Sequence, residues 1–253
     1  MSKVRLDTLM VQRGLASDKD EALRLVLARD VKVQDEYATH AAMLVAPDAA
    51  VSVKGAQRFV SRGGEKLQGA LDAFSIDVRG MHCIDIGCST GGFSDCLLQA
   101  GAGSVACVDV GYGQLAWKVR SDERTTVFER TNIRTAEPAS LGAPFDVLVA
   151  DLSFIGLAQL APTFARLCRE GSMLLALVKP QFESNPGEAN GGYVDDPAVR
   201  ARTVEEVSQA LASQGFSVTG SCESPIVGKK RGNVEYFVCA VFGQDARTGA
   251  VHA

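Results

Sequence analysis

Apolar residues recur along this chain with two different spacings. In residues 5–14 and 18–29 they fall three and four apart, so that Leu6, Leu9 and Met10 share one helical face and Leu23, Val26 and Leu27 share another. Gly14 is placed to end the first helix. Ser17 is placed to cap the second, with Asp20 and Glu21 in its first turn. Two short β-like pieces follow, VKVQ at 31–34 and AVSVKG at 50–55. Together these predict a small α+β module over residues 1–55, followed by a linker, AQRFVSRGG, at 56–64.

From residue 81 the spacing changes. Continuous apolar runs alternate with helical stretches: MHCIDIG, a helix over 91–100, SVACVDV, TVFER, FDVLVADLSF, a helix over 156–169, SMLLALVKPQF and a helix over 197–214. FSVTGSCESPI and VEYFVCAVF close the series. Strands without polar alternation, separated by helices, predict an α/β fold whose parallel sheet is covered on both faces, a Rossmann-like arrangement over residues 65–245. Two successive strands at the end predict an antiparallel hairpin at one edge. Residues 181–196 form a polar, glycine-rich loop of the length found in lids and binding loops. Residues 246–253 are expected to fray.

Composition narrows the setting. The 253 residues contain no apolar run of the roughly 18 residues that a membrane helix needs. The N-terminus, MSKVRLDTLMVQRG, is charged throughout and lacks the apolar segment of a secretory signal. Seven cysteines with no C-x-x-C pair, beside three histidines, argue for free thiols in the cytoplasm and against a zinc or other metal site. Net charge is −4, unevenly placed: residues 1–62 hold 10 Lys and Arg against 8 Asp and Glu, and the remainder holds 16 against 22.

In open parallel sheets ligands bind beyond the carboxyl ends of the strands. The first such end reads CIDIGCSTGGFSD, with glycines at Gly87, Gly91 and Gly92. Cys88 and Ser89 stand where the dinucleotide fingerprint needs its second glycine, which weakens a pyrophosphate reading. Asp85 suits a cationic ligand group better than a phosphate. Asp109, at the end of the second strand, is placed for ribose hydroxyls or for capping its own turn. Asn132 is placed to read an adenine edge or to serve a turn. The D-x-G-x-x-x-G turn with a strand-two acid fits a nucleoside carrying a sulfonium and an amino-acid tail, S-adenosylmethionine. Ser89, Phe93 and Asp151 complete the candidate cofactor residues.

Lys179 ends the run SMLLALVK. Alone it reads as a lysine snorkelling at a sheet edge. Asp151 ends a neighbouring strand on the same edge, however, where its carboxylate can meet the lysine across the cleft, and a lysine whose pKa is lowered by desolvation is a candidate base. Glu235 stands at the start of the final strand, which antiparallel pairing brings to that edge. Lys66 begins a helix ahead of the first strand and could cap the cleft.

The segments VSRGGEKL, DIGCSTGGF, VDVGYGQL, DLSFI, LVKPQFE and GNVEYF, in this order, closely resemble the TlyA (haemolysin A) family of ribosomal RNA ribose 2′-O-methyltransferases, relatives of FtsJ. The resemblance implies a class I methyltransferase domain with an N-terminal S4-type RNA-binding module, S-adenosylmethionine as cofactor, and ribosomal RNA or a ribosomal subunit as partner. It maps the family's K-D-K-E catalytic set onto Lys66, Asp151, Lys179 and Glu235. It implies RNA contacts for Arg5, Arg13, Lys32 and Arg62. The chain departs from the S4 pattern at Ser17-Asp18, Asp30 and Gln34, which leaves a weaker basic face, and Phe59 replaces the family's linker tryptophan. The run Lys229, Lys230, Arg231, just before Glu235, is expected to touch phosphates. The family modifies cytidines of 23S and in some members 16S rRNA. The short termini here point to 23S. Base methylation is argued against by Asp-Leu-Ser-Phe at 151–154, where an Asn/Asp-Pro-Pro-aromatic turn would stand. Membrane lysis and non-catalytic ribosome assembly are the competing classes. No strongly amphipathic basic helix supports lysis, and a lysine beside an apolar strand is more than pure binding needs.

Overall fold

The computed structural model describes residues 3–55, 58–228 and 232–243. The chain divides into two compact units, Met1–Arg58 and Phe59–Ala253.

In the first unit, β1 (Val4–Arg5) leads directly into α1 (Leu6–Gln12), followed by α2 (Lys19–Leu27), β2 (Val31–Val33), β3 (Glu36–Tyr37), β4 (Leu44–Val45) and β5 (Val51–Val53). β1 pairs antiparallel with β4, and a second sheet has the order β3-β2-β5. Leu6, Leu9 and Met10 are buried, as their spacing predicts. α2 departs from its predicted face. Ala22 and Val26 enter the core, whereas Leu23 and Leu27 are 45% and 74% exposed. An i, i+4 pair of Ala and Val leaves room for α1 to approach, and the bulkier stripe turns outward. The cap also moves by one residue: Asp18 Oδ1, not Ser17, accepts the Glu21 N–H at 2.7 Å, while the Glu21 carboxylate reaches back to the Ser17 N–H. This resembles a capping box shifted by one residue: Asp18 satisfies one orphan donor of α2, and Glu21 fixes the chain just ahead of the cap.

The second unit opens with α3 (Arg62–Ala73), so the last three residues of the expected linker belong to a helix. Then come β6 (His82–Ile86), α4 (Gly92–Gln99), β7 (Ser104–Val108), α5 (Trp117–Arg120), β8 (Thr125–Phe128), α6 (Pro138–Leu141) and β9 (Phe145–Ala150). A 3₁₀ turn at Leu157–Leu160 precedes α7 (Ala161–Leu167), β10 (Cys168–Val178), α8 (Pro180–Glu183), α9 (Pro197–Ala212), β11 (Phe216–Glu223) and β12 (Tyr236–Phe242). The predicted helix over 156–169 is therefore shorter, because Cys168 already belongs to a strand.

The seven-stranded sheet has the order β11-β12-β10-β9-β6-β7-β8. Strands β10, β9, β6, β7 and β8 run parallel, and β12 pairs antiparallel with both β10 and β11. The mostly parallel Rossmann-like sheet with an antiparallel edge hairpin is thus present. Successive strand residues enter opposite cores. Cys83, Val147, Val149, Leu175, Leu177 and Phe237 join the helices α3 and α4. Ile84, Ile86, Leu148, Leu174, Ala176 and Val238 join α7 and α9. Burial on both faces explains why these strands read as unbroken apolar runs. Each fully buried Leu, Ile or Val contributes about 1.5–3 kcal/mol. The same two-sided packing fixes where the strand ends lie, and with them the polar residues that follow.

Candidate active site

The carboxyl ends of β6, β7 and β9 surround a cleft of about 480 Å³, within the range of small-molecule sites. Ile86, Val108, Ile133 and Leu160 supply apolar walls. Gly87, Ser89, Asp109, Asn132 and Asp151 line it as well. Gly87 has φ +83°, and a Cβ there would come within 2.8 Å of the Asp151 carbonyl oxygen. Only glycine lets the β6 turn lie this close to the end of β9.

Asp109 caps its own turn and also lines the cleft. Its Oδ2 accepts the Ser89 N–H at 2.8 Å and its Oδ1 the Gly111 N–H at 2.7 Å, so it ties the glycine turn to the loop after β7 while facing the cleft. Ser89 Oγ lies 3.3 Å from Gln114 Oε1. Asn132 Oδ1 accepts the Arg134 N–H at 3.0 Å, which leaves its amide donors for a ligand.

Four expected cofactor residues stand behind this cleft rather than in its lining. Asp85 is fully buried. Its Oδ2 accepts both the N–H and the hydroxyl of Ser94, at 2.9 and 2.6 Å, so the carboxyl braces the first turn of α4 from the strand. Burial pushes it up to about 7, against the Ser94 hydrogen bonds, with Asp151 and Asp109 adding repulsion. Gly91 caps α4 in the left-handed conformation, Gly92 packs against Ser61, and the Phe93 ring stacks on Phe237 at 5.9 Å.

Lys179 and Asp151 form an ion pair, and Lys179 Nζ also donates to Ser153 Oγ at 3.2 Å. Lys66 and Glu235 form a second ion pair, buried on both sides. The sheet brings the two pairs to one edge. Val178 lies opposite Tyr236 in the β10–β12 ladder, so Lys179 and Glu235 stand one step beyond the last paired residues. Ala176 of β10 pairs with Ala150 of β9, placing Asp151 beside the same end. Two lysines with their carboxylate partners, adjoining a nucleoside-sized cleft, can orient a hydroxyl and hold or move its proton.

Several residues with a part in this geometry carry no role on spacing alone. Ser153 lines the cleft between Asp151 and Phe154, and Phe154 is 85% exposed with φ +68°, its ring against Phe182 at 5.2 Å. Glu183 Oε1 accepts the Leu157 N–H at 2.6 Å and so ties α8 to the turn that follows Phe154. All three lie inside the recognised segments DLSFI and LVKPQFE, which is the only signal the sequence offers for them.

Of the expected RNA contacts, Arg5 pairs with Asp7, and Arg13 donates to the carbonyls of Ala49 and Pro47 at 2.6 Å. Lys32 lies over the Tyr37 ring at 5.1 Å, and Arg62 donates to the Val227 carbonyl at 2.8 Å. Lys229, Lys230, Arg231 and the tail 246–253 lie outside the described residues. Among the described residues no His, Cys, Asp and Glu cluster is arranged to hold a metal ion, and no helix is long and apolar enough to cross a membrane.

Comparison with known proteins agrees with this architecture. The chain is 43% identical to the 16S/23S rRNA (cytidine-2′-O)-methyltransferase TlyA of Mycobacterium tuberculosis, over 93% of this chain and 89% of that one. It is 35% identical to the 23S rRNA (cytidine-2′-O)-methyltransferase TlyA of Campylobacter jejuni, over 71% of this chain and 69% of that one. A solved structure from Streptococcus thermophilus, provisionally called a hemolysin, superposes with a TM-score of 0.72 at 37% identity, covering 97% of this chain and 90% of that one. The model of the FtsJ-like methyltransferases matches residues 59–242, the stretch that carries the cleft and both lysine–carboxylate pairs, and the chain belongs to that family, in its TlyA group.

Proposed function

We propose that this protein transfers a methyl group from S-adenosylmethionine to the ribose 2′-hydroxyl of a cytidine in ribosomal RNA. The observation that carries the reading is the pair of lysine–carboxylate contacts, Lys179–Asp151 and Lys66–Glu235, at the strand edge beside a nucleoside-sized cleft. A ribose hydroxyl is a poor nucleophile near neutral pH and needs a positioned proton acceptor or strong electrostatic help.

The lining fits the cofactor. Asp109 suits its ribose hydroxyls, Asn132 its adenine edge, and the Gly87–Ser89 turn its amino-acid tail, between apolar walls. When bound, the cofactor supplies an electrophilic methyl on a sulfonium. Once the ion-paired ammonium has released a proton to solvent, Lys179 Nζ as the neutral amine accepts the hydroxyl proton, and Asp151 holds that nitrogen and stabilises the ammonium formed again. Ser153 keeps it aimed at the cleft. Lys66, fixed by Glu235, supplies a cation at the same edge to steady the ribose oxygen. Phe154 presents a flat apolar face beside Asp151, suited to a stacked base. Holding the hydroxyl and the methyl donor in line supplies much of the rate.

The first unit serves as the S4-type RNA-binding module, with Lys32 and Tyr37 on its surface and the segment ahead of α3 joining it to the methyltransferase domain. Lys229–Arg231 adds phosphate contacts, and such contacts weaken as salt rises. The names of both TlyA relatives include 23S rRNA, which makes 23S the first substrate to test and 16S the second. A ribosomal substrate places the enzyme in the cytoplasm. Purified protein with labelled cofactor should add 2′-O-methylcytidine to rRNA, mapped by ribose-methylation sequencing. Cofactor binding without any methylated cytidine would favour a non-catalytic assembly factor. Liposome leakage without methyl transfer would favour a lytic protein.

A further inference from the structure

The chain leaves the sheet at Lys179, passes through α8, and continues as a largely exposed loop over 184–194. It returns to the strand edge that carries Glu235, and one side chain holds it there. Asn233 is 6% exposed. Its Oδ1 accepts the Val194 N–H at 3.0 Å and its Nδ2 donates to the Gly192 carbonyl at 2.8 Å. A single amide thus closes both a donor and an acceptor of the loop backbone, and Val194 is fully buried beside it. The rest of the loop is tied less deeply, through the Arg202–Glu188 ion pair and the short Asn190–Tyr193 bridge.

Asn233 stands two residues before Glu235 in the approach to β12. The Asn233 carbonyl accepts the Gly228 N–H at 2.8 Å, and the Glu235 carbonyl accepts the Ser224 N–H at 2.8 Å. A Cβ on Gly228 would come within 2.9 Å of Glu235 Oε1, so Gly228 lies directly on the carboxylate that holds Lys66. The 184–194 loop, which follows Lys179 and α8, and the segment that presents Glu235 are therefore joined through one buried amide.

We propose that Asn233 is a positioning residue: by latching the backbone of Gly192 and Val194 it sets the Glu235 carboxylate on Lys66 and couples closure of the 184–194 loop to assembly of the lysine–carboxylate edge. The inference rests on the proposed methyltransferase reading of that edge. Burial explains why an amide is used. Its oxygen satisfies the buried Val194 N–H, which would otherwise be stranded away from water, and its nitrogen ties down the exposed Gly192 carbonyl, a donor-and-acceptor pair that neither an apolar side chain nor a carboxylate of this size offers.

A double-mutant cycle tests the latch. Asn233→Ala and Glu235→Asp are made singly and together in the full chain, with single-turnover methylation of rRNA, cofactor affinity by calorimetry, thermal melting and amide exchange at Val194 as readouts. Asn233→Ala should expose the Val194 amide to exchange and slow methyl transfer by about tenfold or more. Cofactor affinity should stay within about twofold of the parent. In the Glu235→Asp background, where the carboxylate already falls short of Lys66, the same change should slow transfer by no more than about twofold, because residues acting as a unit are not additive. An equal loss in both backgrounds, or parental turnover and Val194 protection in folded Asn233→Ala, overturns the latch. If Asn233→Ala does not fold, Asn233→Asp is read by the same criteria: it keeps the volume and the acceptor for Val194 and replaces the donor to Gly192 with a charged acceptor. Unchanged turnover in Glu235→Asp and Glu235→Gln would instead remove Glu235 from the proposed reaction, a result distinct from failure of the latch.

Discussion

Lys66 and Glu235 are 169 residues apart in the chain and meet as an ion pair with side chains only 9% and 3% exposed. Breaking a buried pair from one side leaves an uncompensated charge, which costs about 3–5 kcal/mol. Lys66→Ala and Glu235→Gln should each lower the melting temperature clearly and abolish most methyl transfer. Lys66→Met with Glu235→Gln should recover much of the stability without recovering activity. A double variant as unstable as the single ones, or as active as the parent, would contradict this pairing.

Lys179 separates proton transfer from simple charge. Lys179→Ala should reduce methyl transfer by about 10²–10⁴-fold, the usual range for a lost general base. Cofactor affinity should change little. Lys179→Arg should be nearly as inactive, because a guanidinium stays protonated at any working pH. Near-parental turnover in a folded Lys179→Arg protein would leave this lysine as an electrostatic clamp.

Asp109 carries both a structural and a binding role. Asp109→Asn keeps an acceptor for one backbone N–H and removes the charge. Losing a charge-assisted hydrogen bond should raise the S-adenosylmethionine dissociation constant by about tenfold or more. Calorimetry checks this directly, with NAD as the control that should not bind. An unchanged dissociation constant would remove Asp109 from the cofactor's contacts.

Asp85 should leave a mark on stability against pH. Its carboxyl is raised to about 7 by burial, so the folded protein keeps this proton at a pH where the unfolded chain has lost it. The resulting stability is complete below the ordinary carboxyl range of about 4 and is lost as pH rises through about 7. Asp85→Asn keeps an acceptor for Ser94 and removes the titration. Its melting temperature should fall less than that of the parent between pH 4 and 8, and two parallel profiles would refute the assignment.

Two basic residues of the first unit should behave differently. Arg13 donates to two backbone carbonyls across its unit. Arg13→Ala should therefore lower the melting temperature more than it weakens rRNA binding. Among the described residues, the Lys32 side chain is placed against the Tyr37 ring and makes no ion pair. Lys32→Ala should leave stability within about 0.5 kcal/mol and reduce the salt dependence of rRNA binding by roughly one phosphate contact. Filter binding across a salt series, with melting curves, distinguishes the two.

Much of the architecture is legible in the sequence because it depends on local chemistry. Two-sided burial turns central strands into unbroken apolar runs, and a strand ending in Gly87 before a helix announces a ligand turn. The antiparallel final pair follows from two strands with no helix between them. Lys66, Asp151, Lys179 and Glu235 stand out through the segments that carry them; Asp151, Lys179 and Glu235 lie at strand ends, whereas Lys66, expected to begin its helix, lies more than a turn inside α3. What local spacing leaves undecided is direction and partner. Leu23 and Leu27 have the same periodicity as a core stripe, yet the approach of α1 selects Ala22 and Val26. Asp85 precedes the glycine turn like a ligand residue, but strand alternation points it beneath the turn to Ser94. Asn233 could be any polar turn residue until the loop from Lys179 folds back onto it. The sequence alone determined which elements form and which side chains end them, because propensity and burial act over a few neighbouring residues. Only the tertiary structure decided which lysine meets which carboxylate, because those contacts depend on strand order and register, and the chain reaches them through loops whose composition does not encode where they end.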